Sequence, residues 1–237
     1  MFPIRDDVPR RHAPVITWIL ILANVAAFAY EFALPGAELE QLFYLSGLVP
    51  RRYADPAWAQ EVGFPPWDFW PLLTSTFLHA GWLHLLGNVW MLWIFGDNVE
   101  DRLGPLRFLI FYALCGVIAG VVQFAANPHS EVPMIGASGA VAGVLGAYFV
   151  LYPRARVLTV IPILFWPVFL EVPAVLVLGF WFVIQFYSGT LALGGEAGGG
   201  GVAWWAHVGG FLSGILLLAM LDRGKRRQPK ETVWVRE

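Results

Sequence analysis

Long apolar runs are the feature of this chain that most restricts its fold. A helix needs about 20 predominantly apolar residues to cross roughly 30 Å of hydrocarbon. A mean hydropathy of +0.63 with only 14% charged residues is likewise outside the usual range for a soluble domain. We therefore predict an all-α polytopic membrane protein, a bundle of six transmembrane helices. The six runs lie near 15–34, 82–98, 106–126, 135–152, 172–188 and 203–221.

The segments between these runs complete the predicted organisation. Residues 1–14 are predicted to be a short cytoplasmic segment. The first apolar run is predicted to be a retained anchor and not a removed signal peptide, because no small-residue cleavage site lies close behind it. Residues 15–221 form the predicted core, and 222–237 a basic cytoplasmic tail. Residues 157–170 are apolar but contain two prolines, so we expect an interfacial approach to the fifth helix. The glycine-rich stretch 194–201 is expected to be a flexible connection.

Positive charges set the predicted orientation. With a cytoplasmic N-terminus, 13 of the 15 Lys and Arg residues lie on the cytoplasmic side, and only Arg51 and Arg52 lie outside. This asymmetry follows the positive-inside rule and agrees with an even number of spans. Both termini are then cytoplasmic, and we expect a prokaryotic inner membrane. The 13 residues are Arg5, Arg10, Arg11, Arg102, Arg107, Arg154, Arg156, Arg223, Lys225, Arg226, Arg227, Lys230 and Arg236.

Four polar side chains fall at one predicted depth, a little below the outer surface. His84 and Asn88 lie in the first turns of the second helix, Ser138 in the fourth and His207 in the sixth. Polar groups at this depth are costly unless they face the bundle interior or a water-filled cavity. Any one of them alone could serve helix packing, but four independent packing residues have no reason to share a level. Their convergence indicates a site.

Small residues predict that two of these side chains meet. The fourth helix begins "GASGAVAGVLGA" and the sixth "AHVGGFLSG", and such stretches let helix backbones approach closely. Ser138 Oγ then comes within reach of a His207 ring nitrogen. A neutral imidazole can take the proton of a serine hydroxyl and so activate it as a nucleophile. No carboxylate lies within two turns of either residue, so we predict a dyad whose imidazole is oriented by packing, for example against Trp204 or Trp205.

The remaining polar groups fit an oxyanion hole. Ser138 begins its helix, so its own N–H and that of Gly139 have no partner within that helix. His84 and Asn88 are four residues apart, hence on one face of the second helix. These side chains could donate to the oxygen on which negative charge develops.

Three motifs in order resemble the signatures of the rhomboid intramembrane serine proteases: "HLLGNVWMLWIFGDNVEDRLG" (84–104), "GASGA" (136–140) and "AHVGGFLSG" (206–214). The resemblance covers about residues 15–221. It implies hydrolysis of a peptide bond in or near a transmembrane segment of another membrane protein. It also implies Ser138 as nucleophile, His207 as base, and His84 with Asn88 as oxyanion donors.

This chain also departs from the family pattern at positions outside the three motifs. Many relatives carry Trp-Arg in the first loop, whereas here Trp70 precedes Pro71. Relatives can also have an aromatic residue one turn after the serine, where this chain has Ala142. The departures put in doubt the loop's stability and the stacking support of the histidine.

Substrate entry requires an opening in the bundle, because a helical peptide bond is hydrogen-bonded and shielded. We expect the fifth helix and the loop 189–201 to move, with Phe180, Trp181 and Phe182 as gate residues facing lipid or the second helix. The expected partners are transmembrane protein substrates and the lipid bilayer, with the oligomeric state open.

Other functions leave different patterns. A transporter usually has charged coupling groups or interrupted helices near the midplane, and neither is evident. A catalytically silent adaptor of the same fold would be expected to lack the serine or the histidine. The net charge of −2 gives no basic surface for nucleic acid, and the sequence predicts neither a metal site nor a cofactor.

Overall fold

The computed structural model describes residues 2–163, 166–193 and 202–222, and most of them are helical. A 3₁₀ turn, Ser75–Phe77, joins two of the helices. The strands are β1 (Phe2–Asp6), β2 (Arg156–Ile163) and β3 (Trp166–Pro173). The helices are α1 (Val15–Ala33), α2 (Gly36–Ser46), α3 (Arg51–Ala54), α4 (Pro56–Glu61), α5 (Pro71–Thr74), α6 (Trp82–Leu103), α7 (Pro105–Ala126), α8 (Ser138–Leu151), α9 (Ala174–Leu193) and α10 (Trp204–Leu221).

Four helices in the described residues are long and apolar enough to cross a membrane: α1, α7, α9 and α10. Helix α6 has 22 residues, but its last two turns carry Asp97, Glu100, Asp101 and Arg102. Helix α8 has 14 residues, a length of about 21 Å at 1.5 Å per residue. The structure confirms a mostly helical chain with four candidate membrane spans in its described part, and the count of six spans remains a prediction.

Helix α8 is the centre of the bundle. Every residue from Gly139 to Tyr148 is buried, against α6, α7, α9 and α10. Because α8 is shorter than the hydrocarbon thickness of about 30 Å, at least one of its ends lies below a membrane surface. Its first residue, Ser138, is half-buried among the surrounding helices.

Glycine permits the close contact of α8 with α10. A Cβ atom at Gly210 would overlap the carbonyl oxygen of Gly139, and one at Gly214 would overlap that of Gly143. From the other side, a Cβ atom at Gly146 would overlap the carbonyl oxygen of Phe211. The predicted close approach of these helices is therefore confirmed, with backbone meeting backbone.

The carboxyl end of α6 organises its neighbours. Glu100 accepts hydrogen bonds from the N–H groups of Ile16 and Thr17, at 2.9 and 2.8 Å, and so caps the start of α1. Gly104, with φ of 79°, ends α6, and Pro105 begins α7 immediately afterwards. Glycine tolerates this positive φ, and proline suits the first position of a helix.

The all-α prediction is wrong for the N-terminal segment and for residues 157–170. These segments form a three-stranded antiparallel sheet in the order β1-β2-β3. The prolines at 162 and 167 do exclude a helix, but the β-branched residues between 157 and 161 favour a strand. Backbone groups near a membrane need hydrogen-bond partners, which pairing between strands supplies. The sheet contacts α6 through β1, and α9 through β2 and β3.

The helix boundaries also differ from those predicted. Helix α6 continues to residue 103, α8 begins at 138, and α9 extends over Ala174–Leu193. The basic tail, residues 223–237, and the glycine-rich stretch 194–201 lie outside the described residues.

Candidate active site

Ser138 is held at the start of α8 by the loop that precedes it. Gly136, two residues earlier, has φ of 126° and donates its N–H to the carbonyl oxygen of Ser75 at 2.9 Å. A Cβ atom at Gly136 would overlap the ring of His84. Glycine at this position thus satisfies both the backbone conformation and the contact with α6.

His207 lies directly beside Ser138. Its Nε2 atom is 2.8 Å from Ser138 Oγ, a hydrogen bond between side chains 69 positions apart in the sequence. The predicted meeting of these two residues is therefore present in the structure. An imidazole nitrogen at this distance is within reach of the serine proton.

The other nitrogen of His207 has a partner that the sequence analysis missed. Nδ1 lies 2.7 Å from Oε1 of Gln185, a buried residue of α9. The signal was a lone amide in an otherwise apolar helix, since residues 174–188 contain no other amide or charged side chain. A polar residue in such a helix usually faces the bundle interior and finds a partner there.

Two indole rings flank His207. The ring centroid of Trp204 is 6.2 Å away, nearly perpendicular to the imidazole, and that of Trp181 on α9 is 5.9 Å away. Of the two tryptophans expected to pack on the histidine, Trp204 does so. Trp205 instead donates its Nε1–H to the carbonyl oxygen of Gly189 at 3.1 Å.

His84 and Asn88 occupy one side of α6, as their spacing predicts. The His84 ring packs against Gly136, and its Nδ1 accepts the N–H of Ala80 at 3.5 Å, a long hydrogen bond. With Nδ1 as the acceptor, Nε2 carries the proton and is a donor. Asn88 is buried, and its Nδ2 has no hydrogen-bond partner among the described residues. A buried donor without a protein partner is costly, and Nδ2 is therefore able to donate to a group that enters the site.

The three expected gate residues do not share one environment. Phe180 is 59% exposed. Trp181 packs on His207, and Phe182 packs on Phe211 of α10 with a centroid distance of 4.7 Å. Helix α9 packs against α10 and α8, and within the described residues it makes little contact with α6. Of the three, Phe180 therefore has the exposure expected of a gate residue.

Charged side chains in the segment between α2 and α6 form ion pairs with each other. Arg52 is buried and lies 2.8 Å from Asp68, and Pro71 is buried at the start of α5.

Within the part of the chain that the structure describes, no three His, Cys, Asp or Glu side chains are grouped so that they could ligate a metal ion.

Comparison with known families decides the classification. The sequence model of the Rhomboid domain matches residues 66–224, about two thirds of the chain. The chain belongs to the rhomboid family. The match includes all three motifs and each of the four polar residues of the candidate site.

Relatives of this rhomboid come from bacteria and from organelles. Rhomboid protease GluP of Bacillus subtilis is 35% identical over 134 residues, 56% of this chain and 25% of GluP. Rhomboid-like protein 11, chloroplastic, of Arabidopsis thaliana is 31% identical over 222 residues, 91% of this chain and 68% of the relative. The mitochondrial presenilin-associated rhomboid-like protein of Mus musculus is 29% identical over 176 residues, 69% of this chain and 42% of that protein. This rhomboid therefore spans less than half the length of GluP and of the mouse protein.

In this rhomboid the small residue one turn after Ser138, Ala142, has a structural reason. Ala142 faces α10, where its Cβ atom would lie 3.2 Å from a Cβ atom at Gly210. An aromatic side chain at 142 would separate α8 from α10. Aromatic contact with His207 comes instead from Trp181 and Trp204.

Proposed function

We propose that this rhomboid is a serine endopeptidase that cleaves membrane proteins in or near a transmembrane segment. The observation that carries the proposal is the hydrogen bond of 2.8 Å between Ser138 Oγ and His207 Nε2. A serine hydroxyl is a weak nucleophile unless an adjacent base takes its proton. Two residues that served packing alone would not need to direct a hydroxyl at an imidazole nitrogen.

In the proposed reaction, Ser138 Oγ attacks the scissile carbonyl carbon while its proton moves to His207 Nε2. The carbonyl oxygen becomes negatively charged, and the N–H groups of Ser138 and Gly139 lie at the start of α8 where they could bind it. Asn88 Nδ2 and His84 Nε2 are the proposed side-chain donors. His207 then gives its proton to the leaving amine, and water hydrolyses the acyl-serine with His207 again as base.

The depth of the site favours a membrane substrate. Ser138 begins a helix of 14 residues that is surrounded by longer ones, so a peptide bond must enter the bundle to reach it. We propose that substrates enter between α6 and α9, which make little contact in the described residues. A small residue such as alanine before the scissile bond suits the glycine and alanine backbone at 136–140.

The proposed organisation is a rhomboid core of six spans, α1, α6, α7, α8, α9 and α10, over residues 15–221. Both termini are cytoplasmic in this proposal and the site opens to the outer side, in accord with the charge asymmetry. We propose a prokaryotic inner membrane as the location.

The test uses the purified chain in liposomes with a single-pass membrane protein that carries an alanine-rich segment near the outer surface. We expect cleavage by the wild type and none by Ser138→Ala. Ser213→Ala is the matched control, because Ser213 is also a buried serine of the bundle but bonds the carbonyl oxygen of Gly210. Equal cleavage by wild type and Ser138→Ala would overturn the proposal. Substrate binding without cleavage would favour the adaptor function instead.

A further inference from the structure

We propose that Gln185 is a positioning residue for His207. Its side-chain oxygen accepts the Nδ1–H of His207 and so holds the imidazole in the form that can take the proton of Ser138. The inference rests on the proposed function and extends the dyad to a third side chain, contributed by α9. It assigns to an amide the place that a carboxylate has in serine protease triads.

The contacts of Gln185 fix which end of its amide faces the histidine. Its Nε2 group donates to the carbonyl oxygen of Trp181, one turn earlier, at 3.4 Å. A carbonyl oxygen only accepts hydrogen bonds, so the NH₂ group belongs at that end of the amide. The oxygen, Oε1, is then the atom 2.7 Å from His207 Nδ1.

This arrangement selects one tautomer of His207. A neutral imidazole has one N–H donor and one acceptor nitrogen. Because Oε1 only accepts, the proton belongs on Nδ1, and Nε2 keeps the lone pair that receives the serine proton. In the other tautomer, lone pairs would face each other at Gln185, and Nε2 could not act as the base.

The position of Gln185 also connects catalysis with substrate entry. Gln185 lies on α9, the helix next to the proposed entry path, and α9 is further joined to α10 by the hydrogen bond between Trp205 and Gly189. If α9 tilts away to admit a substrate, His207 loses its Nδ1 acceptor. The site is then complete only when α9 has returned to the position seen in the structure.

The experiment measures how fast a fluorophosphonate probe labels Ser138 between pH 5 and pH 9, which reports serine reactivity without any membrane substrate. We expect Gln185→Leu to react about 10- to 100-fold more slowly than wild type at pH 7, because the Nδ1–H is left without an acceptor. Thr190→Val is the control, an exposed change on the same helix, and should react within about twofold of wild type. Gln185→Met repeats the comparison if the leucine variant does not fold.

Gln185→Glu separates positioning from a structural role. A carboxylate keeps the acceptor and also stabilises the protonated imidazole, so the loss of labelling in acid should move to higher pH by about one unit or more. Above that range Gln185→Glu should label faster than Gln185→Leu. Among the described residues, His84 on α6 is a titratable neighbour of His207, and it is unchanged in these variants.

Two results would overturn the inference: labelling of Gln185→Leu at the wild-type rate, or equal slowing of the leucine and glutamate variants with unchanged pH profiles. Failure of the proposed function has a different signature. In that case wild type is not labelled at Ser138 at all, whatever the residue at 185.

Discussion

Ser138 Oγ and His207 Nε2 are 2.8 Å apart because α8 and α10 meet backbone to backbone. The glycines that allow this contact, Gly210 and Gly214, lie one and two turns after the histidine on α10. The carbonyl oxygens that these two glycines face belong to Gly139 and Gly143 of α8, which come shortly after Ser138 in the sequence. The distance between the two reactive groups is therefore set by helix packing.

Gly210→Ala should consequently reduce both stability and activity. Its methyl group would overlap the carbonyl oxygen of Gly139 and push α10 away from Ser138. Overpacking of this kind costs about 1–3 kcal/mol. Cys115 is the single cysteine and is fully buried, so a thiol-reactive dye reports unfolding as the temperature rises. We expect a lower midpoint for Gly210→Ala and no decrease for Gly87→Ala, where a Cβ atom would meet nothing within 4 Å.

The two α6 residues of the candidate site, His84 and Asn88, should affect the rate and not the fold. We expect His84→Ala and Asn88→Ala each to lower kcat by about 10²–10³-fold, the usual effect of losing one oxyanion donor. KM should change little, since the developing charge exists only in the transition state. Steady-state kinetics on a cleaved substrate checks this. If a correctly folded variant is as inactive as Ser138→Ala, that residue has a more direct role than donation, and full activity of both places the oxyanion site elsewhere.

Phe180 and Trp181 are neighbours in sequence but should respond in opposite ways. Phe180→Ala removes an exposed ring of α9, the helix that borders the proposed entry path, so membrane-substrate cleavage should rise while the labelling rate of Ser138 stays constant. Trp181→Ala removes a ring 5.9 Å from His207 and should lower the labelling rate itself. Measuring both rates for both variants is decisive. Reduced labelling in Phe180→Ala, or unchanged labelling in Trp181→Ala, would contradict the positions assigned to these rings.

His79 should make the protein sensitive to acid. Burial, with a smaller contribution from nearby His84, lowers the pKa of His79 to about 4 from an ordinary value of 6.5. As the pH falls below about 6.5 the unfolded chain takes up the proton at residue 79 first, so the contribution of His79 lowers the stability progressively between pH 6.5 and pH 4. The Cys115 dye assay at several pH values measures this loss. His79→Phe should flatten the profile, whereas His129→Ala, a change in an exposed loop, should leave it as in wild type.

The sequence predicted that Ser138 and His207 meet, because the signals for this contact are local and strong. Small residues beside Ser138 and His207 indicate close helix contact, and the spacing of His84 and Asn88 places both on one side of α6. Each of these inferences needs only the geometry of a single helix or of one helix pair.

Features that depend on how distant segments pack were not predictable in the same way. Helix α9 is apolar on all sides, so no amphipathic pattern tells which side faces α10. The contacts of Gln185 and Trp181 with His207 depend on how α9 is rotated about its own axis. The pairing of β2 with β1, about 150 residues earlier in the chain, gave no local signal. The hairpin of β2 and β3 is local, but its pattern is irregular. Neither strand shows the regular alternation of apolar and polar residues that marks a half-buried strand.

The most direct test of the catalytic pair is to locate the fluorophosphonate adduct by peptide mapping in wild type and in His207→Ala. The account predicts that wild type carries the adduct on Ser138 and that His207→Ala, although folded by the Cys115 assay, is labelled at least about 100-fold more slowly, because its serine lacks a base. An adduct on another serine, or equal labelling of Ser138 in the two proteins, would contradict it.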